Sequence, residues 1–209
     1  MIRRFTLMVC LLLVPFLAQA EDYIAGKHYA LLETPVRTRD SEKVEVVEVF
    51  WYGCSHCYSF EPLVEQWHKN QGEDVDFWTS PAMWNSAMEI HAKAFFTAQV
   101  LGVSEKLHMP LFTTLVVERK KLSSEAQVQA LFTDYGVEAE AFSKAFNSFG
   151  VSSQVKQADA RARSYKVSGT PEMVVNGKYR VTATMAGGQA AMLEVVSFLV
   201  DKERASMAQ

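Results

Sequence analysis

Val44-Glu45-Val46-Val47-Glu48-Val49-Phe50-Trp51-Tyr52-Gly53-Cys54-Ser55-His56-Cys57-Tyr58 decides the fold. Val44 to Tyr52 is rich in β-branched and aromatic residues, which fit the crowded faces of a buried central strand. Gly53 ends that pattern. From Cys54 the period changes: Phe60, Leu63, Val64 and Trp67 fall at helical spacing, so a helix opens at the cysteine. Pro62 is expected to kink it, because proline lacks an N–H and crowds the preceding turn.

Downstream, Val75-Asp76-Phe77-Trp78-Thr79 reads as a second strand, stopped by Pro81. Met83 to Asp159 is helical almost throughout. Ser86 to Leu101 is amphipathic and ends at Gly102, a residue suited to helix stops. Ser104 is expected to cap the next helix, which carries Leu107, Leu111, Leu115 and Val116 and is interrupted by Pro110. Ser124 with Gln127 forms a capping-box pattern for a helix ending at Gly136. Glu138 to Asn147 is short and amphipathic, and Ser152 or Ser153 starts a helix reaching Tyr165. The strand signal then returns in Pro171 to Val175 and Tyr179 to Val181, flanking the hairpin pair Asn176-Gly177. Gly187-Gly188 precedes a last amphipathic helix through Met192, Val195, Val196 and Leu199. Strand, helix, strand, helical block, hairpin, helix is the order of one α/β domain with a helical insertion.

With 209 residues, 49% of them hydrophobic, the chain can bury a real core. The charge of −3 and the lack of any basic block beyond Arg119-Lys120-Lys121 set nucleic acid aside as a partner. Met1 to Ala20 has two arginines, an apolar run from Phe5 to Leu17 and an Ala18-Gln19-Ala20 end. That is the pattern of a cleaved secretory signal peptide. Its removal takes 20 residues and two positive charges, leaving 189 residues and a charge of −5. Of three cysteines, Cys10 lies in this segment, so the mature chain keeps Cys54 and Cys57. Export places the pair in an oxidising compartment, where it can cycle as a disulfide.

The thiolate is the attacking form of cysteine. A helix N-terminus offers unpaired N–H groups and the positive end of the macrodipole, so Cys54 is expected to favour the anion. Cys57 follows one turn later, within bonding reach. His56 adds a donor or a positive charge beside the sulfur. Stabilising the thiolate stabilises the dithiol, which makes the disulfide a stronger oxidant. A zinc site would need four ligands and a second cysteine pair is missing. A static two-residue disulfide loop would constrain little of the unfolded chain. His28, His68, His91 and His108 read as surface or helix-packing residues.

The chain resembles the DsbA family of thiol:disulfide oxidoreductases. The resemblance rests on Phe50 to Tyr58, on Asn147-Ser148-Phe149, and on Gly169-Thr170-Pro171 followed by Val174 to Tyr179. It implies a thioredoxin-like fold with an inserted all-helical domain. The boundaries expected are 1–20 for the signal peptide, 21–82 and 159–209 for the two parts of the thioredoxin-like domain, and 83–158 for the insertion. It implies that Cys54 forms the mixed disulfide with substrate and that Cys57 is the buried resolving partner. Pro171 would be a cis-proline facing the cysteines, with Thr170 beside it to tune partner choice. Ser55 stands where the family's commonest active site has proline. Glu48 and Glu61 match acidic positions near that site. Glu48 lies mid-strand among apolar residues, where desolvation raises a carboxyl's pKa, and it is expected to relay protons to or from Cys57. The buried lysine that some members carry on the second strand is missing from Trp78-Thr79-Ser80.

The expected activity is donation of the Cys54–Cys57 disulfide to reduced, unfolded exported proteins in the periplasm. The expected protein is a monomer, reoxidised by a DsbB-type inner-membrane partner, with neither metal nor other cofactor. The alternatives are a disulfide isomerase or reductase of the same fold, and a peptide-binding chaperone whose disulfide is incidental.

Overall fold

β2 (Val44–Phe50) is buried at all seven positions, as the unbroken apolar pattern requires of a strand covered on both faces. This computed structural model describes residues 23–208, so the segment read as a signal peptide, with Cys10, lies outside the described residues. β2 pairs in parallel with β3 (Val75–Pro81) and antiparallel with β4 (Glu172–Val175). β5 (Tyr179–Thr182) and a short β1 (Ala30–Leu31) complete a sheet in the order β1-β5-β4-β2-β3. The β4–β5 turn follows the Asn176-Gly177 signal: both residues have positive φ, 50° and 59°, and Lys178 N–H closes onto the Val175 carbonyl at 3.0 Å. A Cβ at Gly177 would stand 2.0 Å from the Val36 carbonyl oxygen, so glycine is required there for space as well as for φ.

The crossover between β2 and β3 is α1 (Ser55–Lys69). Its buried Phe60, Val64 and Trp67 meet Val44 and Val46 of β2 and the apolar side of α8 (Gln189–Met207). Val47 and Val49, which alternate to the opposite face, pack with Val174 and Tyr165. Between β3 and β4 stand α2 (Ser86–Val100), α3 (Ser104–Phe112), α4 (Glu125–Asp134), α5 (Ala139–Phe146) and α6 (Phe149–Ser164). They share a core of Leu107, Leu111, Phe132, Phe142 and Val151, and that core is continuous with Phe50, Tyr52 and Cys57. The architecture is a thioredoxin-like α/β fold with a helical insertion, and the insertion's core reaches the cysteine helix.

Several local expectations are corrected. β3 runs through Pro81, which pairs with Phe50; an edge strand tolerates a residue without an N–H. Val103, not Ser104, is the N-cap of α3, and Ser104 is the first residue inside. Leu115 and Val116 belong to a π-helical segment, Thr113–Val117, that follows α3. α6 begins at Ser148, whose hydroxyl accepts the Val151 N–H at 3.1 Å, rather than at Ser152 or Ser153. Gly150 in its first turn weakens the helical signal there. α7 (Ala183–Ala186), capped by Thr182, was not legible as a helix.

Candidate active site

Cys54 is the N-cap of α1, with extended backbone angles of −94° and 115°. Its sulfur accepts the Cys57 N–H at 3.4 Å, occupying one of the unpaired donors at a helix start. Cys54 is half-buried and Cys57 fully buried, and both are free thiols. The Cys54 pKa is lowered to about 5. The largest cause is donation from the Cys57 thiol; the Thr170 hydroxyl and the N–H groups of Cys57 and His56 add to it, and burial opposes it. Cys57 is pushed the other way, chiefly by burial, and stays a thiol. The two sulfurs are thus driven apart, one towards the anion and one towards the neutral acid.

Ser55 and His56 are both exposed. His56 reaches the sulfur through its backbone N–H, and its carbonyl accepts from Gln189 Nε2 at 2.6 Å and Ser59 Oγ at 3.0 Å. Gln189 opens α8, so the last helix pins the first turn of α1. The Thr170-Pro171 peptide is cis, and the Thr170 carbonyl lies 3.3 Å from Cys54 Sγ. The loop leading to it is organised by Glu172. This buried carboxylate accepts the N–H groups of Ser168 (3.2 Å) and Gly169 (3.0 Å), and Arg180 Nη1 donates to it at 3.1 Å. Beside it opens a cleft of about 520 Å³ lined by His56, Thr170, Pro171, Arg180, Met185 and Gln189.

Behind the cysteines lies a second group of polar residues. Glu48 shares the face of β2 that carries Val46 and Phe50, so alternation directs it towards α1. It is fully buried, and among the described residues neither carboxylate oxygen has a hydrogen-bond partner. Burial raises its pKa well above the usual carboxylate range, and the charges of Glu61 and Cys54 raise it further. Glu61 follows Cys57 by four residues on α1, one turn along the same face. His108 Nε2 of α3 stands 3.2 Å from Glu61 Oε1, at ion-pair distance but out of line for a hydrogen bond. His108 Nδ1 shares a 2.9 Å hydrogen bond with the Tyr52 hydroxyl. Trp51 is fixed in a similar way: its indole N–H donates to His91 Nδ1 at 2.9 Å, and His91 Nε2 lies 3.0 Å from the Lys121 carbonyl. His91 and His108 were read as surface or packing residues; the structure gives each a hydrogen bond to an aromatic side chain beside the cysteine motif. Gln189, Glu172 and Tyr52 were also missed. Among the described residues, no three or more His, Cys, Asp or Glu stand together as a metal site.

The DSBA-like thioredoxin domain model matches residues 64–197. That match begins inside α1, past both cysteines, so it is independent of the Cys-x-x-Cys motif. The chain is 40% identical over 189 residues to the thiol:disulfide interchange protein DsbA of Pseudomonas aeruginosa, covering 90% of each. It is also 40% identical to DsbA of Azotobacter vinelandii over 88% of this chain and 86% of the relative. The chain belongs to the DsbA family. The crystal structure of Pseudomonas aeruginosa DsbA superposes with a TM-score of 0.87 at 39% identity, covering 91% of this chain and 99% of that one. DsbA from Xylella fastidiosa superposes at 0.79 with 30% identity, covering 88% and 98%. As a DsbA family member the protein is a thiol:disulfide oxidoreductase.

Proposed function

We propose that the protein is a periplasmic dithiol oxidase that donates its Cys54–Cys57 disulfide to reduced exported proteins. A single observation carries the direction: Cys54 Sγ caps the start of α1, accepting the Cys57 N–H at 3.4 Å, which with its other donors lowers its pKa to about 5, while Cys57 is buried. The stabilised Cys54 thiolate favours the reduced pair, so the oxidised pair gives up its disulfide readily.

In the forward reaction a substrate thiolate attacks Cys54. The Cys54–Cys57 bond breaks, a mixed disulfide forms at Cys54, and Cys57 leaves and takes up a proton. Glu48, buried and with its pKa raised by that burial, is suited to supply it. A second substrate thiolate then attacks the substrate sulfur of the mixed disulfide and expels Cys54 as a thiolate. Two electrons have passed to the cysteine pair, and the substrate holds the new disulfide. The cleft beside Thr170-Pro171 accommodates the extended substrate segment, and Thr170 in its lining tunes partner choice. A quinone-coupled inner-membrane protein of the DsbB type takes the electrons on and restores the disulfide. The pair itself is the redox group, with no resident cofactor. The residue 1–20 segment directs export, and the mature protein works as a monomer with domain boundaries near residues 82 and 158.

Redox titration of Cys54–Cys57 against glutathione tests the direction. The pair should remain reduced in buffers that keep glutathione largely oxidised. A pair that stays oxidised in reducing glutathione buffer would reverse the assignment.

A further inference from the structure

We propose that His108, carried by the helical insertion, is a positioning residue of the redox site: it neutralises Glu61 and so keeps the buried Glu48 able to exchange a proton with Cys57. This rests on the reading of Glu48 as proton relay and adds the group that compensates the acidic pair.

Glu48 is fully buried with both oxygens unpartnered among the described residues, and after burial the charge of Glu61 acts on it most strongly. Two carboxylates that repel one another by charge are relieved by a cation or a proton. β3 supplies no lysine at Trp78-Thr79-Ser80. His108 occupies that role from the other side, with Nε2 at 3.2 Å from Glu61 Oε1 and side-chain exposures of 23% and 13%. The Tyr52 hydroxyl serves both states of the ring. It donates to Nδ1 when the imidazole is neutral and accepts from Nδ1–H when the imidazole is charged. His108 can therefore gain or lose a proton with its hydrogen bond intact.

The groups facing His108 from each packed element are few. β2 and the turn after it present Phe50 and Tyr52; α1 presents Glu61; the end of α3 presents Phe112. On its own helix Glu105 is exposed, and Lys106 turns away to the Tyr135 carbonyl. On α1, Glu65 is paired with Lys69. Glu61 is thus the carboxylate that His108 can address, and Glu61 is coupled by charge to Glu48. Partial exposure of His108 gives this buried acid pair its contact with solvent.

The test is a charge cycle on the full mature chain: wild type, His108→Gln, His108→Lys, Glu61→Gln, and His108→Gln with Glu61→Gln. Each is measured for its equilibrium with glutathione and for thiolate absorbance between pH 5 and 8, the range in which imidazoles change charge. Neutral glutamine exposes the site to the uncompensated Glu61 charge. The equilibrium should shift about fivefold or more towards a weaker oxidant. His108→Lys should restore it to within about twofold of wild type. With Glu61 already neutral, His108→Gln should change it less than about twofold. Equal loss in the glutamine and lysine variants, an unchanged equilibrium in His108→Gln, or an effect that persists in Glu61→Gln would each overturn the proposal. Should His108→Gln fail to fold, the lysine variant alone still decides, since a purely structural histidine would not be replaced by it with the potential intact. A wild-type pair more reducing than glutathione would defeat the oxidase reading instead, while the charge cycle stays readable.

Discussion

Cys54 Sγ and the carbonyl oxygen of Thr170 stand 3.3 Å apart, although 116 residues separate them in the chain. The helix start and the cis-proline loop therefore build one site from two distant segments. The sulfur lies between donors from its own helix and the side chain of Thr170, and each acts on the ease with which it holds negative charge.

The first consequence concerns pH and redox state. In the unfolded chain a cysteine ionises near pH 8.5; in the folded reduced protein Cys54 ionises at about 5. A lowered pKa contributes stability that is full above the unfolded value and is lost as pH falls through the folded one. Cys57 has the opposite sign: its raised pKa withholds an ionisation that the unfolded chain makes above about 8.5, so it lowers stability in alkali. Melting curves should therefore place the reduced form above the oxidised one at pH 7. The gap should widen to about pH 8 and close near pH 5. Its size at pH 7 is at most about 2 kcal/mol, since a half-exposed sulfur is screened. Alkylation of Cys54 should follow the same ionisation, with a midpoint at about 5. Ordinary thiol behaviour, with little reaction below pH 7, would contradict it.

Thr170→Val removes the hydroxyl and keeps both the side-chain volume and the carbonyl. One donor to the thiolate is lost, while those from Cys57 and His56 remain. The Cys54 pKa should rise, and the equilibrium with glutathione should move about three- to tenfold towards a weaker oxidant. Stability of the oxidised protein, which has no thiolate, should be nearly unchanged. Stopped-flow alkylation and redox titration of the same variant should agree in direction.

How far the sequence carried these conclusions depends on the range of each interaction. β2, the start of α1 and the Asn176-Gly177 turn were legible because period, breakers and φ preference act within a few residues. The helical insertion was legible for the same reason. Ser148 as the cap of α6 was obscured by Gly150, a weak helix former one residue into the first turn. The aromatic anchors of the site were beyond reach. Trp51 meets His91 across 40 residues and Tyr52 meets His108 across 56, and no local pattern marks such pairs. Glu172 could have been suspected: a carboxylate opening an otherwise apolar strand, beside Thr170-Pro171, needs a reason to be buried.

That reason gives the next prediction. Glu172→Ala strips the Ser168 and Gly169 N–H groups of their acceptor and leaves Arg180, 19% exposed at its side chain, without its carboxylate. Removing one member of a buried charged pair costs roughly 3–5 kcal/mol. Denaturant unfolding should report a loss of that order. Glu172→Gln should lose less, because its amide oxygen still accepts from the loop. The alanine variant should also oxidise dithiol peptides more slowly, since the loop that carries Thr170 loses its fixed geometry. Full activity together with full stability would remove Glu172 from the site's scaffold.

Glu48 makes the opposite prediction for stability. A carboxyl buried without a partner among the described residues is unfavourable in the folded state, and its raised pKa says so. Unfolded glutamate ionises near pH 4.3. Above that value the unfolded chain gains an ionisation that the folded chain resists, so the penalty grows as pH rises towards the folded pKa. Glu48→Leu replaces the carboxyl with an apolar side chain of similar size among Val46, Phe50 and the α1 face. It should stabilise the protein by about 1–3 kcal/mol at pH 7 and by clearly less at pH 4. The same variant should slow the steps in which Cys57 gains or loses its proton, because the nearby acid is gone, while alkylation of Cys54 stays fast. Denaturant unfolding at the two pH values, with single-turnover oxidation of a dithiol peptide, reads both effects on one sample. A variant that is more stable yet slower identifies Glu48 as a residue kept for chemistry at the expense of the core; one that is less stable at pH 7 would show that its carboxyl is a structural partner after all.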